Sequence, residues 1–249
     1  MRKTCLAMVL ASLLYGVAVA EDIRLHGAVT AVDLMVMPNK EAVEKATGLT
    51  LVPVGNSGGK GLIDLIEGRC DLALTAGDLA SAVDSAKKTG KDVDASKLQF
   101  TPVMTDEVVF FVNPANPVKK LTMAQIKGVL TGTIKNWQLV GGNDAPIVVF
   151  AEVATGVTRA AIKALVLDGE EYASTTKAQP TVKQVPQAVA EFKNGIGGLS
   201  KKLAEGYKVQ ILESDKKVER PLGVITVGEP SAKAKRVIDA LKAEVAKVK

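Results

Sequence analysis

One histidine, His26, and two cysteines, Cys5 and Cys70, are all that 249 residues offer to a soft metal or a nucleophilic dyad. No second ligand stands at metal-binding spacing from His26, so no metal site is expected. Neither a His-Glu-x-x-His helix nor a serine nucleophile elbow is present. Gly55-Asn-Ser-Gly-Gly-Lys-Gly has the flavour of a phosphate loop but lacks the spacing and the Lys-Ser/Thr ending of a nucleotide site. The expectation is a protein that is not an enzyme and carries no cofactor. Aromatic residues are scarce as well, at 4% of the chain. Recognising nucleic acid takes stacking residues interleaved with basic ones. The lysines at 87–91, 119–127 and 201–217 instead sit among acids or in helix-like stretches, and read as solvated faces.

A hydrophobic run long enough to span a bilayer, about 20 residues, is also missing. The apolar stretch from Cys5 to Val19 is shorter, follows Arg2-Lys3, and ends in Ala18-Val19-Ala20 before Glu21-Asp22. That order predicts a secretory signal cleaved after Ala20, and hence a periplasmic protein. Cys5 is lost with the signal, leaving Cys70 as a lone thiol that reads as a small buried hydrophobe. Removing residues 1–20 of the 249 leaves 229, and losing Arg2 and Lys3 takes the formal charge from +5 to +3. A chain of that size holds one large or two small cores.

What is present is an alternation of short apolar strands and amphipathic helices. Strands are predicted at 23–25, 49–54, 70–74, 108–112, 147–150, 208–212 and 222–227. Helices are predicted at 39–48, 58–68, 79–88, from 122 onward, 156–167, 186–192, and after Pro230-Ser231. Pro38 is read as the interruption before the first helix. Thr122 and Gln125 have capping-box spacing, and Val237, Ile238, Leu241, Val245 and Val248 share a face of the last helix. The fold class is α/β with mostly parallel sheets.

Three strand-to-helix junctions are rich in small and hydroxyl residues: 27–31 with Thr30 and Ala31, 55–61 with Ser57 and Gly58, and 154–159 with Thr155, Gly156, Val157, Thr158 and Arg159. Free N–H groups in a first helical turn favour an anion. Each dipole contributes only about 0.3–1 kcal/mol, against about 1.5–3 kcal/mol for a hydrogen bond to a charged group. Tight capture therefore needs several junctions to converge. Taken singly, such a junction is more often ordinary helix capping by Ser or Thr than a ligand site.

The block from Leu121 to Trp137, continuing through Val140-Gly141-Gly142-Asn143-Asp144-Ala145-Pro146-Ile147, resembles the phosphate-binding periplasmic solute-binding proteins of phosphate ABC transporters. Segments 30–37, 55–74, 108–117, 195–198 (as a turn) and 221–230 agree in order. The resemblance implies a type II two-lobed fold with a two-strand hinge. Lobe 1 would hold residues 21–109 and 221–249, lobe 2 residues 110–220, and the ligand would sit between them. It also implies a small anion as ligand, phosphate first, an ABC transporter permease as partner, and a monomer. Thr30, Ser57, Thr155 and Gly156 match the family's binding positions. Val157 stands where a threonine is usual, with Thr158 next to it. Ala151 stands where the family commonly has an arginine, and Ala76-Gly77 where it commonly has an acid, with Asp78 nearby. Arg159 and Lys60 are the candidate replacement cations. These departures leave open a different anion, a less charged ligand, or a periplasmic sensor or partner protein.

Overall fold

The computed structural model describes residues 21–247, so the expected signal segment lies outside the described residues. The strands are β1 (Glu21–Gly27), β2 (Leu49–Gly55), β3 (Leu72–Thr75), β4 (Leu98–Val112), β5 (Val148–Glu152), β6 (Lys177–Gln179), β7 (Gly195–Ser200), β8 (Gln210–Ile211) and β9 (Val218–Val227). They join in the order β2-β1-β3-β9-β4-β7-β5-β6, with β8 on β4. β1 pairs in parallel with β2 and β3, and β5 in parallel with β6 and β7. Every antiparallel pair among the described strands involves β4 or β9. These two long strands run side by side through the middle of the molecule and connect two parallel α/β halves.

β4 is far longer than the apolar stretch 108–112 that predicts it. Its first part, Gln99–Glu107, mixes polar and apolar residues without a clear alternation and contains Pro102, which obscures the strand in the sequence. The β4–β9 register shifts between Pro102 and Met104, as expected for a proline that cannot donate to a ladder. Residues 195–198, expected as a turn, lie in β7. Their glycines are required by packing, because a Cβ on Gly197 would fall 2.6 Å from Val185 Cγ1.

The helices are α1 (Val29–Ala31), α2 (Lys40–Thr47), α3 (Gly58–Ile66), α4 (Leu79–Lys87), α5 (Met123–Thr131), α6 (Val157–Leu165), α7 (Gln184–Glu191), α8 (Lys201–Ala204) and α9 (Ala232–Ala246). Pro38 does not begin a new element. It lies in a 3-10 turn (Met37–Asn39) that follows a π-helical turn (Val32–Val36), so the backbone is helical from Val29 through Thr47. A proline is tolerated in a first turn, where its N–H is not needed. The Thr122–Gln125 capping box forms at α5, and Ser231 caps α9.

Two sets of buried side chains sit on either side of the crossing strands. Ile23, Leu25, Met35, Leu51, Leu74, Leu222, Val237 and Leu241 belong to one set. Val108, Phe110, Leu121, Ile126, Trp137, Val149 and Val218 belong to the other. Cys70 is buried beside α3 and α4, and burial pushes its thiol up to about 11, so it stays a neutral hydrophobe. α3 lies so close to β1 that a Cβ on Gly61 would fall 2.4 Å from Gly27 Cα and 2.5 Å from His26 O. Backbone atoms cannot yield as a flexible side chain would. Gly61→Ala is expected to cost about 1–3 kcal/mol by overpacking, read as a lowered urea midpoint, whereas an unchanged midpoint would show that α3 has room to move.

Candidate functional site

The junction between β2 and α3 is held from behind by one carboxylate. Asp64 on α3 accepts from His26 Nδ1 at 2.8 Å, from Asn56 Nδ2 at 2.7 Å and from Arg69 Nε at 2.7 Å. Burial pushes the Asp64 carboxyl up, but hydrogen bonds from His26, Arg69 and Asn56 outweigh it and hold it below the ordinary carboxylate value. Asn56 N–H donates to Gly27 O at 3.0 Å, which ties this loop to the end of β1. Ser57 follows with φ 86° and ψ 151°, and its Oγ accepts from Lys60 N–H at 3.4 Å. That backbone region is all but restricted to glycine and costs a serine about 1–3 kcal/mol. Strain of this kind collects where a loop's shape serves a ligand.

The facing junction, between β5 and α6, carries Glu152 at the strand's end. Glu152 is 8% exposed and its Oε2 has no hydrogen-bond partner. A Cβ on Gly156 would fall 2.0 Å from Glu152 Cδ, so the carboxyl lies directly against the start of α6. Burial pushes this carboxyl up to about 7. The positive charge of Arg220, the first-turn amides of Thr158 and Arg159, and the charge of Arg159 pull the other way.

The two junctions meet. A Cβ on Gly58 would fall 1.8 Å from Val157 Cγ2, and Val157 of α6 is 1% exposed within the core that surrounds β1. α4 packs against α6, and Lys183 pairs with Asp33 at 2.6 Å. Beside this contact lies a pocket of about 200 Å³ lined from one side by Val29, Asn56, Ser57 and Lys60, and from the other by Glu152, Thr155 and Thr181.

Arg220 on β9 stands opposite Asp106 on β4 in the ladder between the crossing strands. Its Nε donates to Asp106 Oδ2 at 3.0 Å, and Asp106 Oδ1 accepts from Ser200 Oγ at 2.5 Å. Arg220 is 1% exposed, and its Nη1 and Nη2 are buried without a partner. Thr30 Oγ1 is also buried and unpartnered. Buried polar atoms are nearly always satisfied in folded proteins, so these unpartnered groups are candidates to meet a ligand's polar atoms.

Among the residues expected at the ligand, Ser57 and Thr155 line one pocket, and Gly58 and Val157 touch across it. Gly156 and the Thr158 backbone surround the Glu152 carboxyl. Others are placed elsewhere. Ala31 is fully buried in the core, so only its backbone remains available. Asp78 is exposed and caps α4 through Ser81 N–H at 2.8 Å, away from the pocket lining. Arg159 is neither a surface residue nor a cleft cation: its guanidinium lies 4.5 Å from the Tyr172 ring centroid and donates to Glu152 O at 3.1 Å. It fills the neighbourhood of Ala151, where both border the same small void. Among the described residues no cluster of three or more His, Cys, Asp or Glu could hold a metal, and no helix is long and apolar enough to cross a membrane.

Glu152 and Arg220 were not expected from sequence. A charge directly abutting the apolar run Val148–Ala151, and an arginine leading into the largely apolar Leu222–Val227, are the available signals. Neither identifies its partner, since Asp106 lies 114 residues from Arg220.

A family profile described as a PBP superfamily domain matches residues 20–243. The chain is 32% identical over 208 residues to the phosphate-binding protein PstS of Bacillus subtilis, covering 78% of this chain and 65% of that protein's length. Among solved structures it resembles a protein described as a phosphate ABC transporter substrate-binding protein with bound phosphate, from Clostridium perfringens. That match has a TM-score of 0.76 and 23% identity, over 89% of this chain and 93% of the other. An ABC-type phosphate transport receptor from Vibrio cholerae matches with a TM-score of 0.68 and 22% identity, over 92% and 96% of the two chains. At these identities the structural matches speak for the two-lobed fold.

Ser57→Gly is expected to relieve the strained backbone and raise stability by roughly 1 kcal/mol, net of the entropy glycine loses on folding. It should also weaken binding at the pocket. A variant less stable than wild type by thermal melting would contradict the strain.

Proposed function

This chain belongs to the PBP superfamily domain family, and we propose that it captures a small oxyanion, phosphate first, and hands it to an ABC transporter. In this reading residues 1–20 direct export to the periplasm. Residues 21–109 with 221–249 form one lobe, residues 110–220 form the other, and β4 and β9 are the hinge. The molecule works as a binding protein with no catalytic residue.

The observation that carries the proposal is the free half of the Arg220 guanidinium, buried where the hinge strands pair and aimed at no protein acceptor. A planar pair of N–H donors suits an oxyanion's two-oxygen edge. Two such bonds, at about 1.5–3 kcal/mol each, outweigh the helix dipoles at about 0.3–1 kcal/mol each. Arg220 thus takes on, from the hinge, the task that family members give to an arginine at the position of Ala151. Thr30 Oγ1, the α3 junction at Ser57 and the α6 junction at Thr155 supply the remaining donors.

Calorimetric titration of the mature protein with phosphate, sulfate, molybdate and small organic acids tests this. One anion should bind saturably, and Arg220→Ala should weaken it about 100-fold or more, as two charged bonds are lost. Arg220→Lys keeps the charge opposite Asp106 and controls for folding. Its affinity should fall between the other two, because a lysine cannot form the fork. Absence of binding to every anion by a folded wild type would overturn capture and favour a sensor or partner role.

A further inference from the structure

The α3 and α6 junctions face each other across the cleft, yet what fills their contact is apolar. Val157 opens α6, and among the described residues it is the one member of the buried set around β1 that comes from residues 110–220. Its receptacle is made by two glycines. A Cβ on Gly58, at the start of α3, would fall 1.8 Å from Val157 Cγ2, and one on Gly77, between β3 and α4, would fall 3.3 Å from Val157 Cγ1. The Gly77 position also faces Ala161, one turn further along α6, at 3.4 Å. Neither glycine has a positive φ, so the backbone does not require them there; room for the valine does.

We propose that Val157 in its glycine socket holds the two lobes closed from within the protein, so that closure precedes capture and a ligand enters only through transient opening. The inference rests on the two lobes and the cleft site proposed above and deepens that reading. Burying one valine side chain shifts an equilibrium about ten- to a hundredfold. The Asp33–Lys183 pair also bridges the lobes, but its side chains are 23% and 45% exposed, and a pair of that kind adds about fivefold at most. The apolar knob therefore decides the balance. A ligand contributes nothing to this contact, because the atoms that meet in it belong to the chain itself. Val157 is in this role a positioning residue, acting on the distance between the junctions rather than on the anion.

Spin labels attached through Lys87→Cys on α4 and Leu165→Cys on α6, two exposed positions on opposite lobes, report the separation. Cys70 is buried and stays unlabelled. In the mature protein without added anion, pulsed dipolar spectroscopy should give one short distance that phosphate leaves unchanged, with the open form below about a tenth of the molecules. Val157→Ala removes the knob and Gly58→Ala blocks the socket. The three atoms nearest the new Cβ of Gly58→Ala all belong to Val157, so that variant leaves its own lobe undisturbed. Each should make a longer distance a major population, which phosphate then shortens. Phosphate association should also quicken about tenfold in Val157→Ala, since entry follows the open fraction; a variant that merely folded less well would bind no faster. A long or broad distance in wild type that shortens only with phosphate would overturn the proposal. So would both variants keeping the wild-type distance without anion. If wild type takes none of the anions titrated above, capture fails, while the anion-free distances still decide whether the valine closes the lobes.

Discussion

The ion pair between Asp106 and Arg220 is the constraint on which the rest of the arrangement depends. It lies in the ladder between β4 and β9, the two strands that join both halves of the fold, and it is fully shielded from water. Removing one partner of such a pair costs about 3–5 kcal/mol, because the survivor is a buried charge with no counterpart. Asp106 spends its two oxygens on Arg220 Nε and Ser200 Oγ. That fixes the guanidinium's plane and leaves both Nη groups uncommitted. A hydrophobic pair would hold these strands together equally well. The half-used arginine therefore makes physical sense as an anchor for something that arrives from outside.

Placing the cation on the hinge changes how capture and closure are linked. A charge carried by one lobe attracts a ligand to that lobe, and closure follows as a separate event. A charge carried by the hinge is approached by both lobes at once. Here the α3 and α6 junctions touch through Gly58 and Val157. Val157 stands where relatives commonly place a threonine, and its side chain packs into the opposite core. The Val157 methyl groups there fill the contact between the two junctions. Closure around a ligand is the motion that a hinge between two lobes permits.

The sequence made much of this legible, for identifiable reasons. Strand ends followed by small hydroxyl residues are local signals that single out Ser57 and Thr155; that the two line one pocket follows only from the fold. Capping at Thr122 and Ser231 is equally local. Only residues 108–112 of β4 read as a strand in sequence, because the part before them interleaves polar residues and Pro102 with Phe100, Val103 and Met104 and shows no clear alternation. Pro38 reads in sequence as a break, but a π turn and a 3-10 turn carry the helical backbone past it. The sequence offers Arg159, near Ala151, and Lys60, in the β2–α3 loop, as replacement cations. Arg220 meets Asp106 through a pairing across 114 positions, which no periodicity encodes. Arg159, the local substitute, stacks on Tyr172 instead. Asp78 was near enough in sequence to pass for the expected acid, but the first N–H groups of α4 claim its carboxylate.

The central claim is that a hinge arginine receives the anion. A crystal structure of the mature protein grown with phosphate or its heavier analogue arsenate tests it most directly. The account predicts a tetrahedral anion between the α3 and α6 junctions, with two oxygens within hydrogen-bond distance of Arg220 Nη1 and Nη2 and one facing Glu152. An anion held elsewhere in the cleft, with both Nη groups bonded to water or protein, would contradict it.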